Sequence, residues 1–315
     1  MSASARIDVA RREEDPPHSL RPGGTARGEL RLLTYLAPGL PLGLFEGIAA
    51  HLARALGVVA TVASDPTRSA PEPDGQDPFT AGEADVGFLC APGYLWLAER
   101  EPPPVRLVPA AFVFDDPRAE GRPVYHADLV ARRGSPARSL ADLAGARWVY
   151  NDPCSLSGYF SVLGALEELG ARPDFFASAR AVGSHHEALR AIEAGEADCA
   201  AIDSSTLLLE RRRGAARDVR VVESFGPFPV QPIVARADLD PVHLRALAEA
   251  LLAMHESELG RAALRRAGVL RFGPISSEAY ALERSHLARA LAQARAMGCP
   301  STGNGPEDEL PRPSG

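Results

Sequence analysis

Asn151-Asp152-Pro153-Cys154-Ser155-Leu156-Ser157-Gly158-Tyr159 follows a β-type apolar run, Arg147–Tyr150, and opens a helical pattern over Gly158–Leu169. A strand that turns directly into a helix through a Pro-, Ser- and Gly-rich junction is the unit of a layered α/β fold. The junction also carries chemistry. A helix N-terminus leaves backbone N–H groups unpaired and presents the positive end of the helix dipole. Two serines one residue apart add hydroxyl donors, and Gly158 lets a ligand approach the backbone closely. Such a junction suits a phosphate-like or sulfonate-like anion. The same residues also read as plain capping, with Ser155 or Ser157 satisfying its own helix.

Outward from this junction, strands and helices alternate in both directions. Glu29–Tyr35, Val58–Ala63 and Asp85–Leu89 read as strands, and Leu42–Leu56 and Pro92–Arg100 as helices. In Leu42–Leu56, Phe45, Ile48, Leu52 and Leu56 fall on one helical face. Residues 64–78 read as an irregular surface loop. A polar, turn-rich crossing, Asp115–Pro123, leads to a second series: the strand Val124–Arg132, a short helix at Ser139–Leu143, Arg147–Tyr150, helices at Gly158–Leu169 and Ser184–Glu193, the strand Asp198–Ile202, and the helix Ser204–Arg212. A second crossing is expected near Gly226–Pro229, and helices close the chain at 241–255, 257–266 and 276–297. The rhythm implies mostly parallel sheets covered by helices. Gly82-Glu83-Ala84-Asp85 and Gly195-Glu196-Ala197-Asp198 each lead into a strand and then a helix, the mark of two related lobes. Two crossings between them predict an α/β protein with a hinge and a central ligand cleft. Lobe 1 is expected at 29–118 plus 231–298 and lobe 2 at 119–230, with disordered ends at 1–28 and 299–315.

Composition narrows the function. The 315 residues are 45% hydrophobic and 24% charged, enough to bury a full core without metal or disulfide staples. A net charge of −7 argues against a nucleic-acid partner. The chain has no lysine, which excludes a Walker loop, a Schiff-base lysine and a kinase-type lysine. Cysteines stand far apart, at 90, 154, 199 and 299, so zinc and dithiol chemistry have no support. No metal or cofactor is expected. No apolar h-region opens the chain and no run is long enough to span a bilayer. The expected location is therefore cytoplasmic as the sequence stands, or periplasmic or extracellular if the start is misassigned.

Two further stretches join the serine junction. Gly183-Ser184-His185-His186-Glu187-Ala188-Leu189-Arg190-Ala191-Ile192 places two histidines in a first helical turn, where one could donate to an anion. An imidazolium donor would make affinity fall as pH rises through its titration. Ala200-Ala201-Ile202-Asp203-Ser204-Ser205 puts Asp203 at a strand end, where α/β ligand sites gather. Its alternative role is a helix cap.

Together these stretches resemble the periplasmic phosphonate-binding proteins of ABC transporters, the PhnD-like group of type II solute-binding proteins. The family's Asp-Pro-x-Ser-x-Ser-Gly loop matches Asp152, Pro153, Ser155, Ser157 and Gly158. Its Gly-x-His-x-x-x-Leu-x-x-Val/Ile-x-x-Gly-x-x-Asp segment matches Gly183, His185, Leu189, Ile192, Gly195 and Asp198. The resemblance covers roughly residues 29–270 and implies a two-lobed periplasmic-binding fold. It implies a small anionic ligand held by Tyr35, Tyr94, Ser155, Leu156, Ser157, Gly158, His185 and Asp203, with no catalytic residue. A transporter permease is the implied protein partner, and a monomer is expected. Leu156 departs from the polar residue often found there, and export is at odds with the missing signal. The alternative is a cytoplasmic enzyme on the same fold, performing an elimination on a carboxylate substrate with a cleft histidine as base.

Overall fold

The computed structural model describes residues 28–36, 39–71, 75–281, 283 and 287. The expectations for 1–27, for 299–315 and for most of the last helix lie outside the described residues. The chain begins with β1 (Glu29–Thr34), α1 (Leu42–Leu56), β2 (Val59–Ser64), β3 (Val86–Phe88), α2 (Ala91–Ala98), β4 (Val105–Leu107) and β5 (Ala111–Phe114). After the first crossing come β6 (Val124–Arg132), β7 (Arg147–Tyr150), α3 (Ser161–Glu168), β8 (Ser178–Ala181), α4 (His185–Ala194), β9 (Cys199–Asp203), α5 (Ser204–Arg212) and β10 (Val219–Pro229). Beyond the second crossing lie β11 (Ile233–Arg236), α6 (Pro241–Ala253), α7 (Glu258–Arg266) and β12 (Val269–Gly273).

Two five-stranded sheets organise these elements, in the orders β2-β1-β3-β11-β4 and β10-β6-β9-β7-β8. β1 runs parallel to β2 and β3, and β7 parallel to β8 and β9. The sheets are nevertheless mixed, a correction to the mostly parallel expectation. β11 is antiparallel to β3 and β4, and β6 is antiparallel to β9 and β10. The reason is topological. β11, arriving by the second crossing, runs against the strands already in its sheet, and β6, entering by the first, runs against the later strands β9 and β10.

α1 follows from its sequence. Leu44, Phe45, Ile48, Ala49, Leu52 and Leu56 form its buried face, and Gly57, at φ 67°, stops it in the left-handed conformation glycine tolerates. The second crossing lies later than expected. β10 continues to Pro229 through a register shift between Phe225 and Phe228. It is an edge strand, where proline and irregular pairing cost least.

The repeated Gly-Glu-Ala-Asp strings hold equivalent places in the two sheets. Asp85 accepts the Arg31 backbone N–H at 2.8 Å and its Nε at 3.0 Å. Asp198 accepts the Arg147 backbone N–H at 2.8 Å and its Nε at 3.0 Å. Arg31 also donates to the Gly82 carbonyl, and Arg147 to that of Gly195. One clamp ties the entrance of β3 to β1, and the other that of β9 to β7.

Candidate functional site

The carboxyl ends of both sheets face one cleft. It is lined by Tyr35 after β1, Cys90 after β3, Asn151, Asp152, Ser155 and Ser157 after β7, Gly183 to His185 after β8, Asp203 at the end of β9, and Gln231 beyond β10. Ligands in open α/β sheets bind at such strand ends. The cleft's water-accommodating volume is about 60 Å³, room for a few waters or one compact oxyanion.

The turn after β7 is wider than a regular helix start. Leu156–Phe160 forms a π-helical turn before α3 begins. The Ser155 carbonyl accepts from both Tyr159 N, at 3.2 Å, and Phe160 N, at 3.1 Å. The Ser155 Oγ accepts from Gly158 N at 3.1 Å, so Ser155 is the cap. A hydroxyl that accepts one bond keeps its own proton to donate. Ser157 caps nothing. Its Oγ stands 3.2 Å from His185 Nε2 and is hydrogen-bonded to Tyr125. Gly158 is dictated by crowding: a β-carbon there would collide with Asn151 Oδ1 and press on His185 Cε1.

His185 opens α4, which Ser184 caps by accepting Glu187 N at 3.1 Å. Burial pushes the His185 imidazole down to about 3, with the neighbouring His186 adding to the shift. The ring is therefore neutral at pH 7, a correction to the imidazolium expectation. Its Nδ1 is buried without a protein partner. His186 turns instead toward Glu210, at 3.8 Å.

Asp203 is both cap and cleft wall. Its carboxylate accepts Ser205 N at 2.8 Å, Ser205 Oγ at 2.5 Å and Thr206 N at 3.3 Å, and Gln231 Nε2 donates to its other oxygen. Burial raises Asp203 above the usual carboxylate range. Asp152 is likewise raised by burial, opposed by bonds from Ser69 and Cys154 N. The Oδ1 of Asn151, which faces Gly158, and the Oε1 of Gln231 are buried without protein partners.

Of the residues expected from sequence, Tyr35, Ser155, Ser157, His185 and Asp203 line this one cleft. Tyr94, Leu156 and Gly158 do not. Tyr94 packs edge-on against Tyr280, with ring centroids 5.4 Å apart. The Leu156 side chain joins the hydrophobic core, and its N–H donates to Cys90 Sγ at 3.3 Å. Gly158 stands behind Asn151. Sequence reading passed over Arg68, Ser69, Cys90, Asn151 and Gln231, which also line the cleft. Arg68 and Ser69 sit in the loop taken for surface. Its Pro- and Asp-rich composition gave no signal of burial. Asn151 and Gln231 were within reach, because each directly follows a strand or crossing that ends at the cleft.

A family model described as "ABC transporter, phosphonate, periplasmic substrate-binding protein" matches residues 44–280. Among solved structures, the chain is similar to a binding protein component of an ABC phosphonate transporter from Pseudomonas aeruginosa. The TM-score is 0.70 at 17% identity, covering 85% of this chain and 89% of that one. It is also similar to PhnD1 from Prochlorococcus marinus in complex with methylphosphonate, with TM-score 0.71, 15% identity and coverage of 84% and 99%. A putative sulfonate-binding protein SsuA from Methylobacillus flagellatus gives TM-score 0.51 at 17% identity, covering 86% and 87%. No curated protein matches by sequence.

Proposed function

The chain belongs to the family of periplasmic phosphonate substrate-binding proteins of ABC transporters, and from that premise we propose that its cleft holds a compact phosphonate-type oxyanion. The family is one of substrate-binding components, which sets aside the elimination enzyme and gives the chain a small ligand and a permease as partners. The cytoplasmic expectation finds no support in a family described as periplasmic. No helix among the described residues is long and apolar enough to cross a membrane.

What carries the ligand reading is one convergence: the Ser155 and Ser157 hydroxyls and His185 meet the buried carboxyl of Asp203 in the same cleft. Donors recognise the oxyanion. A carboxyl group beside them favours a ligand with a proton to share, because two bare anions repel. A phosphonate monoanion keeps a P–OH at neutral pH; a sulfonate does not. Tyr35, whose hydroxyl burial holds in the neutral form, supplies an aromatic wall. In this reading 29–118 with 231–298 and 119–230 act as two lobes that close on the ligand as a monomer.

Calorimetric titration with methylphosphonate, phosphite, phosphate and methanesulfonate tests it. Tight binding of a phosphorus oxyanion, with methanesulfonate at least tenfold weaker, is expected. A preference for methanesulfonate, or no binding of any of the four, overturns it.

A further inference from the structure

The loop between β2 and β3 was unremarkable as sequence, yet it bridges the cleft. The Ser69 hydroxyl donates to Asp152 Oδ2, and Asn151 Nδ2 approaches Ser69 Oγ at 3.4 Å. Ser69 belongs to the segment joining two strands of the first sheet. Asp152 and Asn151 follow β7 of the second.

The loop is built to present this residue. The Ser69 carbonyl accepts Cys90 N at 2.9 Å, at the entrance to α2. The next residue, Ala70, is fully buried against Gly93, where a β-carbon would collide with Ala70 Cβ. Both contacts hold the loop to the first lobe, from which the Ser69 hydroxyl and its backbone N–H both reach Asp152.

Its target is the carboxylate that shapes the anion turn. Asp152 also accepts Cys154 N at 2.8 Å and Asn151 Nδ2 at 3.0 Å, which orders the residues leading into Ser155 and Ser157. Arg68, beside Ser69, lines the same cleft, so docking of Ser69 also brings a guanidinium to its wall.

We propose that Ser69 is the closing latch of the cleft, a positioning residue that couples lobe closure to an ordered anion turn and carries Arg68 into place. The proposal rests on the two-lobe reading above. The Ser69–Asp152 bond can exist only when the lobes meet, so it stabilises the closed state selectively. Removing it lowers the closed population, and apparent affinity falls by the same fraction.

The test compares wild type, Ser69→Ala and Ser69→Thr in the full chain by small-angle scattering and stopped-flow binding of methylphosphonate. Ser69→Ala is expected to dissociate methylphosphonate about tenfold faster and to show a larger radius of gyration, without ligand and at saturation. Ser69→Thr, which keeps the hydroxyl, restores both. Dissociation and radius unchanged in Ser69→Ala overturn the latch. If methylphosphonate does not bind wild type, the ligand reading fails by itself. The ligand-free scattering then decides the latch: a more expanded Ser69→Ala supports it, and superimposable profiles overturn it.

Discussion

The Ser157 hydroxyl stands 3.2 Å from His185 Nε2, joining the turn after β7 to the first turn of α4. The two serines of the turn thereby take different work. Ser155 accepts the Gly158 N–H and closes the turn, whereas Ser157 faces the histidine. Ser157→Ala should weaken methylphosphonate binding roughly tenfold to a hundredfold, the range for a hydrogen bond to a charged group, and cost about 1–3 kcal/mol of stability because the buried His185 and Tyr125 lose a partner. Ser155→Ala should lower stability by about 1 kcal/mol as a lost cap, and weaken binding as well. Calorimetry and thermal melts on both variants check these values. A Ser157→Ala protein that binds like wild type would remove this residue from the site.

His185 sets a pH dependence whose sign follows from burial. Its folded value, about 3, lies below the ordinary value of about 6.5. The unfolded chain therefore takes up the proton first as pH falls. Its stabilising contribution is complete above about 6.5 and is lost as pH falls toward the folded value. Asp152 and Asp203, raised by burial, act with the opposite sign, losing stability as pH rises from about 4. The comparison with His185→Gln isolates the histidine. The melting-temperature gap between the two proteins should shift against wild type below about pH 6.5. A gap constant from pH 8 to pH 4.5 would contradict a buried neutral ring.

Asp203→Asn separates the cap from the charge. Asparagine caps α5 about as well as aspartate, so the variant should fold normally. Loss of the carboxyl should favour methanesulfonate over methylphosphonate by about tenfold relative to wild type, or ~1.4 kcal/mol. Competition titrations with the two ligands measure this ratio directly. An unchanged ratio would mean that Asp203 takes no part in selection.

Leu156→Thr addresses the departure from the family's pattern. The side chain lies in the hydrophobic core and its N–H is held by Cys90 Sγ. Threonine should therefore cost about 1–3 kcal/mol for a poorly paired buried hydroxyl and bring no gain in affinity. Chemical denaturation and calorimetry give both values. A tighter-binding Leu156→Thr would put this side chain back in the cleft.

The sequence by itself determined the elements whose periodicity is local. α1, β6, β7 and α5 match the expected ranges to the residue, because their apolar spacing and end signals lie within the segments. It also brought Ser155, Ser157, His185 and Asp203 into view, since each stands where a strand gives way to a helix. The tertiary structure alone decided the rest. Short strands such as β4, β5 and β8 form because neighbouring strands offer hydrogen bonds, and their own residues carry little pattern. Tyr94 left the site because Tyr280, remote in sequence, packs against it. Burial moved the titration of His185 far below neutral pH, so its ring stays neutral even in mild acid. Ser69 entered the cleft because its loop is anchored at Cys90 and Gly93. Contacts between residues far apart in the chain exist only once the two sheets face each other, so no local spacing could announce them.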